Sequence, residues 1–149
     1  MRFEKRDYQD NVALDSLAHK VAAAVPELFM ATEARFKTFY SSAEPEHIGG
    51  KARRLDGAVR FQTGLDYFIL IHKEPFIESD NLHRLRLLAH ELYHIAKDRN
   101  SFVIRHHAHD FCEIAEHDRF SYRMALRAMA SMGLKYPNEE EARRYAAID

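Results

Sequence analysis

Leu88-Ala89-His90-Glu91-Leu92-Tyr93-His94-Ile95 is the stretch on which the reading of this chain turns. It holds a His-Glu-x-x-His pattern inside an apolar run. If that run is helical, His90 and His94 stand one turn apart on one face, where two imidazoles can share a metal ion. Glu91 leaves the next position around the helix, close enough to take a proton from water at such an ion without being a ligand itself. Zinc hydrolysis needs this division of labour.

The surrounding residues decide whether the motif lies on a helix. Leu82, Leu85, Leu88, Leu92 and Ile95 recur at three- and four-residue steps and form a core-facing stripe, and Ser79 or Asp80 just before them can cap the first turn. The bland reading is two surface histidines flanking a salt-bridging glutamate, in a chain with 10 histidines that can produce the pattern by chance. A capped, amphipathic helix around the motif favours the metal reading.

At 149 residues, 46% hydrophobic, the chain has the size of one domain with a real core. A formal net charge of -1, with 30% charged residues of both signs, gives no global footprint for nucleic acid or an anionic membrane. The start, Met1-Arg2-Phe3-Glu4-Lys5-Arg6-Asp7, has no apolar signal core, and no run approaches the roughly 18 apolar residues that cross a bilayer. The single cysteine, Cys112, cannot form an internal disulfide and reads as a reduced thiol on an apolar helix face. A cytoplasmic protein is expected.

Working outward from the motif, Leu65-Asp66-Tyr67-Phe68-Ile69-Leu70-Ile71-His72 is rich in aromatic and β-branched residues and predicts a strand ended by Pro75. Asp10 to Val25 predicts an amphipathic helix through Leu14, Leu17, Ala18, Val21 and Val25, restrained at its end by Pro26. Glu33 to Ser41 alternates and predicts a half-buried strand; Leu55 to Phe61 alternates more weakly and predicts another. Between them Ser42 to Gly50 reads as a loop that ends in the basic patch Lys51-Ala52-Arg53-Arg54. After the motif, Phe102 to Arg105 reads as a short extended piece. A helix from Asp110 or Phe111 to Gly133 follows, and a last short helix after Asn138.

A hydrolytic zinc takes three protein ligands and leaves a fourth position for water. The motif supplies two. His106, His107, His109, Glu113, Glu116 and His117 are all candidates by chemistry for the third. His109 is favoured because an extended segment turns into a helix there, with Asp110 beside it to cap that helix or to orient an imidazole; His107 and the carboxylate of Glu113 stay open.

Beyond the motif, Gly49-Gly50-Lys51-Ala52, Phe61 through Ile71, Leu88 through His94, Ile104-Arg105 and His109 through Ile114 together resemble the family of phage metallopeptidases, in order, over roughly Phe29 to Ile114. The chain departs from that family at Tyr93 and Ile95, where cysteines are usual. The resemblance implies a zincin-like domain with zinc carried by His90, His94 and His109, and Glu91 as general base. It also places Leu65 to His72 near the edge of the cleft, where an extended peptide adds as a further strand. Tyr67 and Tyr93 are candidates to stabilise an oxyanion, although tyrosines more often pack.

The expectation is therefore an α+β domain spanning residues 1–149: an N-terminal helix, a small sheet of about three strands, the His90 helix packed on it, and C-terminal helices closing the site. The expected activity is zinc-dependent hydrolysis of peptide or protein substrates. The alternatives are a catalytically inactive metal-binding interaction module of phage or prophage origin, and a nucleic-acid-associated protease using Lys51 to Arg54. Membrane partners are not expected.

Overall fold

A computed structural model describes residues 8–42, 50–100 and 111–134, with the backbone alone at residue 100 and residues 111–119. The fold is α+β. Strand β1 (Tyr8–Asp10) leads into helix α1 (Val12–Ala24), whose first turn is capped by Asn11, its side chain accepting the Leu14 N–H at 3.0 Å. Leu14, Ala18, Val21 and Ala22 form the buried face of α1. Val25 is extended before Pro26 and ends the helix; a 3-10 turn (Pro26–Leu28) then runs into the short α2 (Phe29–Thr32).

Strand β2 (Phe36–Ser41) places Phe36, Thr38 and Tyr40 in the interior and Lys37 and Phe39 on the opposite face. The chain continues through β3 (Gly50–Arg54), α3 (Gly57–Thr63), β4 (Tyr67–His72) and α4 (Lys73–Glu78) into α5 (Asn81–Asn100) and α6 (Phe111–Met132). The sheet order is β1-β2-β4-β3, with β2 and β4 parallel and the two outer pairings antiparallel. Ile69 and Ile71 of β4 join Val21 and Leu28 and the α5 stripe of Leu82, Leu85, Leu88, Leu92 and Ile95 in one core. Met124, Ala125, Ala128 and Met129 bring α6 into the same core. Each fully buried leucine there is worth about 1.5–3 kcal/mol of transfer free energy, so the helix that carries the motif is fixed by its apolar side.

The structure departs from the sequence reading in three places. Leu55 to Phe61 is not a strand. Asp56 accepts the Val59 N–H at 3.0 Å and starts α3, which Gly64 ends at φ 71, a left-handed position that suits glycine. The local alternation misled because α3 has no buried residue, and Phe61, its largest apolar side chain, is 89% exposed. The basic patch is itself a strand, β3, and with the short β1 it brings the sheet to four strands. Lastly, β4 is not the cleft edge. It lies between β2 and β3, paired on both sides, and its Tyr67, Ile69 and Ile71 face the core; β3 takes the edge beside it, and β1 the other edge, among the described residues. The expected extended piece at Phe102 to Arg105 and the helix after Asn138 lie outside the described residues.

No helix among the described residues is long and apolar enough to cross a membrane.

Candidate metal centre

Helix α5 begins as its sequence suggests. Asp80 accepts the His83 N–H at 2.9 Å through Oδ1, and Leu82, Leu85, Leu88, Leu92 and Ile95 turn inward at 0–1% exposure. With that stripe fixed, His90 and His94 are half-buried at the border of the core and Glu91 is turned fully inside, at 5% exposure. The ligand atoms of His90, Glu91 and His94 all lie within 4.8 Å of one another.

The two imidazoles converge. His90 Nε2 and His94 Nε2 are 3.2 Å apart, with the rings 80° from coplanar. Two nitrogens bound at about 2.05 Å to one tetrahedral zinc stand about 3.3 Å apart, so the observed separation fits a shared ion with almost no movement. The other nitrogen of His90, Nδ1, lies 3.3 Å from Ser121 Oγ on α6, and Ser121 is fully buried. With Nδ1–H donating to that hydroxyl, the lone pair of His90 sits on Nε2, where a metal needs it.

Glu91 is held differently. The Ala52 N–H of β3 donates to its carboxylate, while Oε2 is buried without a hydrogen-bond partner among the described residues. Burial pushes the carboxyl up to about 7, against the opposing pull of the Ala52 N–H and the Arg86 cation. A carboxylate oxygen left in this state is costly in a structural role, and fits a group that receives a proton. Gly50 lets β3 and β4 pair closely beside this carboxylate: a Cβ there would stand 2.7 Å from the Leu70 carbonyl oxygen and 3.0 Å from Ile71 Cδ1, with Glu91 Cγ at an ordinary 3.7 Å.

The donor set fits a divalent metal: two convergent imidazole nitrogens, one of them oriented by a buried hydroxyl, beside a carboxylate with an unsatisfied oxygen. A family model described as putative phage metallopeptidase matches residues 6–139. The chain belongs to this family. No curated protein and no solved structure gives a significant match. The family's name points to a metal-dependent peptidase, hence to a metal cofactor and to peptide or protein substrates, and among the described residues His90, Glu91 and His94 form a group that could hold a metal.

Of the residues singled out from the sequence, the structure brings together His90, Glu91 and His94, while His106, His107 and His109 and the side chains of Glu113, Glu116 and His117 lie outside what is described. The two tyrosines are engaged elsewhere. The Tyr67 hydroxyl donates to Asp98 Oδ2, and burial first, then that bond to the carboxylate, raises its pKa well above the usual phenol value. Tyr93 packs edge-on against Phe120 with Lys97 Nζ 5.6 Å from its ring centre. The sequence reading missed Ser121 and Ala52. Ser121 is 31 residues from His90 and is not of a metal-ligand type that a spacing pattern picks out, and Ala52 contributes only a peptide N–H, which no side-chain motif can report.

Proposed function

We propose that residues 1–149 make one zinc-dependent peptidase domain in which His90, His94 and His109 hold the ion and Glu91 is the general base. The observation that carries this reading is the pairing of two imidazole nitrogens at 3.2 Å with a buried, half-satisfied carboxylate on the same helix. A zinc ion held there would acidify water and polarise the scissile carbonyl.

The protein's own part follows from the positions of its side chains. His90 and His94 bind through Nε2, and Ser121 Oγ keeps His90 in the tautomer that leaves Nε2 available. Glu91 accepts the proton of the attacking water at Oε2 and passes it to the leaving amine nitrogen, while the Ala52 N–H steadies the carboxylate during both transfers. Burial with only one oxygen paired raises the proton affinity of the carboxyl, which suits a group that takes up a proton and gives it back. The edge of β3 runs beside Glu91; with the Ala52 N–H held by the carboxylate, a substrate that adds as a strand there bonds through the Ala52 carbonyl and the backbone groups of Gly50 and Arg54, and its peptide bonds come to the carboxylate.

The test is metal content measured together with peptide cleavage. The parent is expected to hold about one zinc per chain and to cleave peptides. His109→Ala is expected to lose the zinc, while His107→Ala and Glu113→Ala keep it. The ligand set is wrong if His109→Ala retains full zinc, and the peptidase reading fails if zinc-loaded protein cleaves nothing across a broad peptide library.

A further inference from the structure

The edge strand next to Glu91 carries Lys51 and Arg53 on one face of the sheet and Arg54, at its end beside Tyr67, on the other. Which groups of β3 face outward follows from its bonds to β4. Leu55 N–H donates to the Asp66 carbonyl at 2.9 Å, and Leu55 continues the register in which Arg53 faces Phe68 and Lys51 faces Leu70. In an antiparallel pair the bonding direction alternates residue by residue. The odd-numbered residues therefore bond to β4, and the backbone groups of Gly50, Ala52 and Arg54 point to the edge that no strand covers among the described residues. The Ala52 N–H, bonded to Glu91 rather than to β4, agrees with this parity.

Side chains alternate as well. Ala52 packs against the core, and a Cβ on Gly50 would point at Glu91, so the even residues face α5. Lys51 and Arg53 extend from the other face of the sheet and are exposed, and Arg53 lines a groove there with Phe68 and Leu70. A peptide lying along this edge alternates in the same way: residues directly opposite Lys51 and Arg53 point to the outer face, and those between them point toward the histidines.

We infer that this site selects peptides with acidic side chains at two alternate positions, i and i+2, paired across the strands with Lys51 and Arg53. This rests on the peptidase reading for the location of the cleft, but it concerns which peptide is held and is measurable without cleavage. Each opposite-charge pair across strands is worth a factor of roughly 1.4 to 5, so the two together are worth roughly 2- to 25-fold over an uncharged peptide. The cations are exposed, so the preference shrinks as salt rises.

The experiment compares extended peptides that differ only at i and i+2, carrying Glu-x-Glu, Ala-x-Ala or Lys-x-Lys, and a control with adjacent glutamates. Two readouts are used on the full chain loaded with zinc: kcat/KM for cleavage, and fluorescence anisotropy for binding. The expected ranking is Glu-x-Glu first, with adjacent glutamates gaining less and Lys-x-Lys last. The double variant Lys51→Glu with Arg53→Glu should invert the order, and Lys51→Ala with Arg53→Ala should flatten it. Ranked binding without cleavage supports the acidic preference and overturns the peptidase reading. Cleavage or binding with no ranking, or a ranking that survives both double variants, overturns the preference and leaves the peptidase reading in place. Binding of a single-stranded oligonucleotide that depends on Lys51 and Arg53, with no peptide bound, overturns it as well.

Discussion

Two buried carboxylates in this fold meet opposite fates. Asp66, just before β4, accepts the Arg35 N–H at 3.0 Å, the Arg60 Nε–H at 3.1 Å and a second guanidinium contact from Arg35 at 3.5 Å. Burial pushes its pKa up, but those hydrogen bonds and charges outweigh burial and hold it below the usual carboxylate value. Glu91 has a single N–H on one oxygen and no partner among the described residues on the other, and burial carries it to about 7. Asp66 ties β4 to the start of β2 and to α3 and is chemically quiet, whereas Glu91 is left able to take up a proton. In this protein, how fully a buried charge is satisfied separates a carboxylate held ionised from one able to take up a proton near neutral pH.

The strongest way to break the comparison is Glu91→Gln. It keeps the size and hydrogen-bonding shape of the side chain but removes its basicity. Turnover should fall about 10²- to 10⁴-fold while zinc content, measured by plasma emission, stays at the parental level. Parental turnover in this variant would place the reactive group elsewhere.

Next in size is Ser121→Ala. Loss of the hydroxyl that orients His90 should weaken zinc affinity about 10- to 100-fold in a chelator competition, with Ser121→Thr recovering part of it. If zinc affinity is unchanged, the 3.3 Å contact does not set the tautomer.

Asp66→Asn probes the other carboxylate. It removes the charge that both guanidiniums address, and since Arg35 and Arg60 are 64% and 44% exposed, the loss is discounted for solvent to about 1–2 kcal/mol. Denaturant midpoints measure it, and zinc affinity should not change. The smallest effect is on pH dependence. Because the folded pKa of Asp66 is depressed, its contribution is present above the unfolded value of about 3.9 and is lost as pH falls through the lower folded value. Stability curves between neutral pH and pH 3 should therefore decline less steeply at the acid end for Asp66→Asn than for the parent.

What the sequence disclosed follows the range of the forces involved. The α5 helix, its Asp80 cap and the placing of His90, Glu91 and His94 were legible because cap, stripe and motif all act within a few residues of one another. The α+β class and the Tyr67–His72 strand were legible for the same reason. The edge position of β3 was not, because strand order depends on β2 reaching across to pair with β4 and leaving β3 on the far side. Helix α3 was misread because its apolar residues alternate while its cap is a single aspartate, Asp56.

Gly50 has no side chain to bind a metal or move a proton, yet that missing side chain is what lets β4 close on β3 beside Glu91. A saturation mutagenesis scan scored for peptidase activity should therefore find it as intolerant as the motif itself. Even alanine would be selected against at Gly50, while its neighbour Lys51, exposed on the opposite face, accepts most replacements with only a change in substrate preference.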